Sequence, residues 1–126
     1  MNSLRIMLVD DNNNFRNSAI RYINANLRFE RLTWVSSGEE AIKAVNEKAI
    51  DLIIMDISMP GINGIEAARI IKGSNKDIKI ILLALSDSIE YRNEMLSSGA
   101  NEFIHKIEFT DKLIPVINKM FSGNAA

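Results

Sequence analysis

D-L-I-I-M-D-I-S-M-P-G-I-N-G-I-E-A-A-R-I, residues 51–70, is the stretch from which the rest of the chain can be read. Leu52 to Met55 form an unbroken apolar run, short and rich in isoleucine, as expected of a strand buried on both faces inside a parallel sheet. The run ends on Asp56, a carboxylate that a buried strand does not carry without a reason. Ser58, Met59, Pro60, Gly61 and Asn63 then break the chain into a loop. Asn63 with Glu66 predicts a capping box and a helix beginning near Gly64. The product is a strand with a carboxylate at its C-terminal tip, a stiff loop and a helix. Ligands of open α/β sheets bind at the carboxyl ends of the strands, which is where Asp56 stands.

Whole-chain numbers narrow the class. At 126 residues the chain is expected to be one domain, with an ordered core from about residue 4 to 121 and a small polar tail or linker start at 122–126. Fifteen Lys and Arg against sixteen Asp and Glu give a net charge of −1. No basic excess marks a nucleic-acid or membrane surface. With no cysteine there is neither a disulfide framework nor a thiolate metal site. The N-terminus offers only Ile6 to Val9 as an apolar run, too short for a signal peptide or a span. A cytoplasmic location is the expectation.

Outward from the central stretch, the same alternation recurs. Arg5 to Val9 predicts a buried strand closed by Asp10 and Asp11, and Asn12, Asn13 and Asn14 can cap the next helix, whose apolar positions are Phe15, Ala19, Ile20, Ile23 and Leu27. Leu32 to Val35 predicts a strand holding the only tryptophan, Trp34, read here as a core residue. Ser37 and Glu40 predict a capping box for a helix to about Lys48, with Ala41, Ile42 and Val45 inward. Ile78 to Leu85 is the fourth strand, and a Ser-Asp-Ser loop at 86–88 leads to a helix ending near Gly99. Glu102 to Lys106 is the fifth strand, and Thr110 opens a last helix through Phe121. Five strand–helix repeats predict an α/β fold, a flavodoxin-like (βα)5 doubly wound sandwich with a parallel sheet of order 2-1-3-4-5.

That order makes the first and third strands neighbours and brings Asp10, Asp11 and Asp56 to one patch. Three carboxylates so close raise one another's pKa unless a cation joins them. Oxygen ligands without His or Cys suit a hard divalent ion, Mg²⁺ first. Magnesium takes one or two protein carboxylates and leaves the third free to attack a phosphoryl donor, giving an aspartyl phosphate. Lys106, on the same sheet edge, can neutralise phosphoryl charge. Taken singly, the Asp pair would be an ordinary helix cap, Asp56 a turn former and Lys106 a solvated strand end. Together they outweigh that reading.

These residues resemble the receiver domain of bacterial response regulators over residues 4 to 121. The acidic pair matches Asp10 and Asp11, the phosphoacceptor motif matches M-D-I-S-M-P-G-I-N-G at 55–64, and S-S-G-A-N at 97–101 with Lys106 matches the region of the family's lysine. The opening V-D-D-N-N-N-F-R is most similar to the LuxR-like group, whose members carry a C-terminal helix-turn-helix. The resemblance implies that Asp56 accepts phosphate from a sensor histidine kinase. It further implies that Asp11, Asp56 and the Ser58 carbonyl ligate Mg²⁺ with Asp10 acting mainly through water, and that Lys106 pairs with the phosphoryl oxygens. It places Ser58 and Ser86 beside the site and Phe103 at the aromatic switch position, where ordinary packing is an equal expectation. It allows a homodimer and implies no nucleic-acid contact or membrane association by this domain itself.

Where the family carries a switch Thr or Ser at the end of strand four, counting back from Gly99 and Lys106 gives Ala84. A shift of two residues would supply Ser86 but would shorten the following helix. Leu85, normally a small residue, is expected to crowd the pocket, and Ile107 replaces a common proline. Ala84 motivates a rival reading, a degenerate receiver serving as a constitutive interaction module. His105 is expected to be structural, and Ile89, Met95 and Leu96 either core or a partner face. A nucleotide-binding enzyme is poorly supported, since neither G-x-x-x-x-G-K-[ST] nor G-x-G-x-x-G occurs. A dehalogenase-type phosphatase would want Asp where Ser58 stands, and nothing points to flavin.

Overall fold

In the computed structural model, which describes residues 3–85 and 89–121, the central stretch folds as its pattern requires. Strand β3 (Leu52–Asp56) is buried at every position and lies between β1 (Arg5–Val9) and β4 (Lys79–Ala84). Outside these run β2 (Arg31–Val35) and β5 (Glu102–His105), so all five pair parallel in the order 2-1-3-4-5.

A strand buried on both faces needs helices on both sides. One layer packs α2 (Gly38–Glu47), α3 (Gly64–Ser74) and α4 (Ile89–Ser97) against Met7, Val9, Ile53, Met55, Ile80 and Leu82. The other packs α1 (Asn13–Asn26) and α5 (Phe109–Phe121) against Ile6, Leu8, Leu52, Ile54, Ile81 and Leu83. Alternation along each strand sends successive side chains to opposite layers. Removing each large aliphatic side chain from water contributes roughly 1.5–3 kcal/mol.

The helix starts follow their caps. Asn12 Oδ1 accepts the Phe15 N–H at 2.9 Å, Ser37 Oγ the Glu40 N–H at 3.1 Å, and Asn63 Oδ1 the Glu66 N–H at 2.8 Å. The box expected at Asn63 is only half formed, because the Glu66 carboxylate turns to Arg69 at 2.6 Å. Gly99 follows α4 with φ +93°. Strand five stops at His105, not at Lys106: a single 3-10 turn, η1 (Lys106–Glu108), starts there and runs into α5 at Phe109.

Trp34 departs from its expected core place and is 51% exposed. It lies on edge strand β2, which has a neighbour on one side only, and the Arg16 guanidinium covers its ring at 3.9 Å from the centroid. Leu85, expected to crowd the pocket, is 75% exposed just beyond the end of β4. Met95 is buried, whereas Leu96 faces solvent. Ser86 and the side chain of Ile89 lie outside the described residues. No helix among the described residues is long and apolar enough to cross a membrane.

Candidate functional site

The site is assembled at the carboxyl ends of three strands. Asp10 directly follows β1 and Asp56 ends β3, while Lys106 follows β5 and reaches across the end of β4. Asp10 and Asp56 are both buried, with Asp11 exposed beside them. One carboxylate oxygen of each of the three lies within 4.8 Å of the others.

Each buried carboxylate has one oxygen held by backbone and one left for a cation. Asp10 Oδ1 accepts the Asn12 N–H at 2.8 Å, and Asp56 Oδ1 accepts the Ser58 N–H at 3.2 Å. Lys106 Nζ lies 2.9 Å from Asp10 Oδ2 and 3.4 Å from Asp56 Oδ2, and its own side chain is largely buried. Asp10 Oδ2 makes no hydrogen bond in this geometry, so the lysine meets it as a charge alone. Burial pushes the Asp56 carboxyl above its ordinary pKa and the Asp10 charge pushes it further, against the opposing pull of Lys106 and the Ser58 N–H. A buried carboxylate oxygen without a hydrogen-bond donor, facing two further carboxylates, is a donor set for a hard divalent cation.

Lys106 is itself braced. Its ammonium lies 4.5 Å from the centroid of Phe15, which packs edge-on against Phe109 at 5.3 Å. Phe109 also meets Tyr22, whose hydroxyl donates to the Thr110 carbonyl at 2.7 Å. These contacts tie α1 to the turn carrying Lys106.

Among the other residues singled out, Ser58 is exposed, with its N–H on Asp56. Ala84 is buried as the last residue of β4, opposite His105. Phe103 is half-buried on the same layer, with the Arg92 guanidinium 4.9 Å from its ring centroid. Sequence reasoning missed Arg16. It is buried, donating Nη1–H to the Asp10 carbonyl at 3.1 Å and Nη2–H to Asn13 Oδ1 at 2.7 Å. A signal existed: Arg16 falls on the buried stripe of α1 with Ala19 and Ile23, where a charge needs a partner.

A family model described as the response regulator receiver domain matches residues 6–118. The transcriptional regulatory protein DegU of Brevibacillus brevis is 32% identical over 124 residues, 98% of this chain and 52% of that protein. The response regulator UvrY of Escherichia coli K12 is 32% identical over 121 residues, 95% of this chain and 55% of that protein. This chain therefore spans about half the length of these relatives. A crystal structure of a LuxR-family two-component response regulator from Aurantimonas superposes with a TM-score of 0.88 at 26% identity, covering 96% of this chain and 86% of that one.

Proposed function

Because this chain belongs to the response regulator receiver domain family and is related to its LuxR-type members, we propose that Asp56 is its phosphoacceptor. The observation behind this is a buried strand-end carboxylate with one oxygen on the Ser58 N–H and the other facing Lys106. An oxygen of Asp56 attacks the phosphorus of a phosphohistidine on a sensor kinase, the P–N bond breaks, and the imidazole leaves with the electron pair. Lys106 shifts from the carboxylates to the phosphoryl oxygens, which carry the charge that this transfer must neutralise. Asp11, Asp56 and the Ser58 carbonyl would hold Mg²⁺, with Asp10 contributing through water. The ion supplies further neutralisation of phosphoryl charge. The domain is read as a phosphoacceptor that assists its own phosphorylation and hydrolysis in the cytoplasm; control of transcription through an output domain is the part of this reading that the greater length and the names of its relatives support.

Incubation with Mg²⁺ and acetyl phosphate, followed by intact mass measurement, tests this reading. A labile phosphoryl adduct is expected on the parent and none on Asp56→Asn. Equal adduct on the variant would refute the assignment. Magnesium should also stabilise the fold by mass action, adding about 2.7 kcal/mol at a hundredfold excess over its Kd. Asp11→Ala should remove that thermal shift while raising metal-free stability, because one of three repelling carboxylates is gone. No magnesium effect on the parent, or a shift as large in Asp11→Ala as in the parent, would place the cation elsewhere.

Ala84 supports a second reading, a receiver whose surface is constitutively competent to bind a partner. A methyl group at the end of β4 cannot donate the hydrogen bond that a hydroxyl would give a phosphoryl oxygen, worth roughly 1.5–3 kcal/mol to a charged acceptor. Phosphorylation biases a conformational equilibrium only through contacts that differ between its states. The parent is therefore expected to take phosphate with small amide shifts around Phe103, enlarged in Ala84→Thr. Large shifts in the parent, no smaller than in Ala84→Thr, would show that another group carries the relay.

A further inference from the structure

We infer that Arg16 and Trp34 form a positioning unit that holds the backbone of the acidic pair in the conformation that binds a divalent cation. The inference rests on the magnesium reading of the acidic centre and adds residues that reading does not use. Arg16 sits on the first turn of α1 and bridges two points of the loop that carries Asp10 and Asp11. Its Nη1–H reaches the Asp10 carbonyl and its Nη2–H reaches the Asn13 side chain. The same loop is fixed at its start by the Asp10 N–H, which donates to the Val35 carbonyl at 3.2 Å. The Asn12 cap fixes its far end. With Arg16 in place, Asp11 has little freedom to swing away from Asp56.

Burying a guanidinium is costly unless its charge and donors are met. Nε of Arg16 is buried and has no hydrogen bond, and no carboxylate pairs with the group within ion-pair distance among the described residues. What meets its flat face is the indole of Trp34 at 3.9 Å, the best of the aromatic rings for a cation. This gives an exposed tryptophan on an edge strand a task that neither the core nor a solvent-facing strand position requires. It also places the chain's only indole one residue removed from the metal-binding loop: Trp34 touches Arg16, and Arg16 touches Asp10. Groups that orient metal ligands without touching the metal commonly change its affinity ten- to a hundredfold when removed.

Magnesium titration of the purified protein, followed by calorimetry and by Trp34 emission, tests the unit. The parent is expected to show one saturable transition with the same Kd by both methods. Arg16→Gln should weaken magnesium binding about tenfold or more, with Arg16→Lys between it and the parent, since lysine can keep one donor but not the bridge. Trp34→Ala should weaken binding in calorimetry, and Trp34→Phe should restore most of that loss. A role confined to folding would lower the melting temperature of these variants and leave the Kd unmoved, and that result overturns the inference. So does a Trp34 emission that ignores magnesium while calorimetry detects it. Should Arg16→Gln fail to fold, the pair Trp34→Ala and Trp34→Phe decides by the same criterion. A parent that binds no magnesium by either method overturns the metal reading itself, and the inference with it.

Discussion

Gly64→Ala is expected to destabilise the protein by about 3 kcal/mol and to remove most phosphoryl uptake at Asp56. A Cβ on residue 64 would stand 2.2 Å from the Asp56 carbonyl oxygen and 2.8 Å from the Ile57 Cα. Both neighbours are backbone of the strand end that carries the phosphoacceptor, so no flexible side chain can move aside. The Gly64 N–H donates to the Ile57 carbonyl at 3.0 Å, which holds the two segments at this separation. Relief requires α3 to move away from β3, taking Asp56 out of register with Asp10 and Lys106. Urea unfolding and the acetyl phosphate adduct measure the two effects. Gly73→Ala is the control: it lies in the same helix with open space around its Cβ position, and should gain roughly 0.5–1 kcal/mol from helix propensity. Parent-like stability in Gly64→Ala would mean that the strand–helix contact is looser than described.

Lys106→Met is expected to cost about 3 kcal/mol at neutral pH without divalent cations, and to depend on pH and magnesium more steeply than the parent. The ammonium is the only cation within ion-pair distance of either buried carboxylate among the described residues. Removing one partner from a buried ion pair typically costs about 3–5 kcal/mol, because the remaining charge is left uncompensated. Asp56, whose pKa burial and then the Asp10 charge already raise, is the group that can relieve this cost by taking up a proton as pH falls. A carboxylate whose folded pKa is raised weakens the fold above that pKa, and stability returns as pH falls through it. Acid should therefore rescue much of the loss, down to about pH 4, the ordinary carboxylate range. Below that the Arg5–Asp51 pair fails: Arg5 holds Asp51 below its usual pKa, so its contribution is present above the unfolded value and disappears as pH drops through the folded one. Magnesium should likewise restore Lys106→Met, by occupying the same carboxylates. A variant as stable as the parent at pH 7, with no added response to acid or metal, would show that Asp10 and Asp56 are not the charges Lys106 compensates.

The strands, the layer order and the acidic centre were readable from local patterns because each rests on short-range chemistry. Apolar runs of four or five residues flanked by turn formers give buried strands, and Asn12, Ser37 and Asn63 announce helices through bonds made within three residues. Alternation of strand and helix leaves few ways to cover a parallel sheet, and the order 2-1-3-4-5 then places Asp10 beside Asp56. The resemblance to receiver domains agreed with that derivation and sharpened the expected roles of Asp11, Ser58 and Lys106.

Other features depended on contacts between residues far apart in the chain. Lys106 left the strand for a 3-10 turn that lets its stem cross β4 toward Asp10 and Asp56. Trp34 left the core because β2 became the sheet's edge, and a ring with a neighbour on one side only was free to cover Arg16. Hydropathy assigns tryptophan to the interior and arginine to the surface; here Arg16 is buried and Trp34, half exposed, covers its guanidinium. The sequence alone determined which side chains carry charge at the strand ends, because that depends on pattern along the chain. Only the tertiary structure decided which of those charges are buried, which cation faces them and what braces that cation, because burial and pairing are properties of surfaces that meet only after the chain has folded.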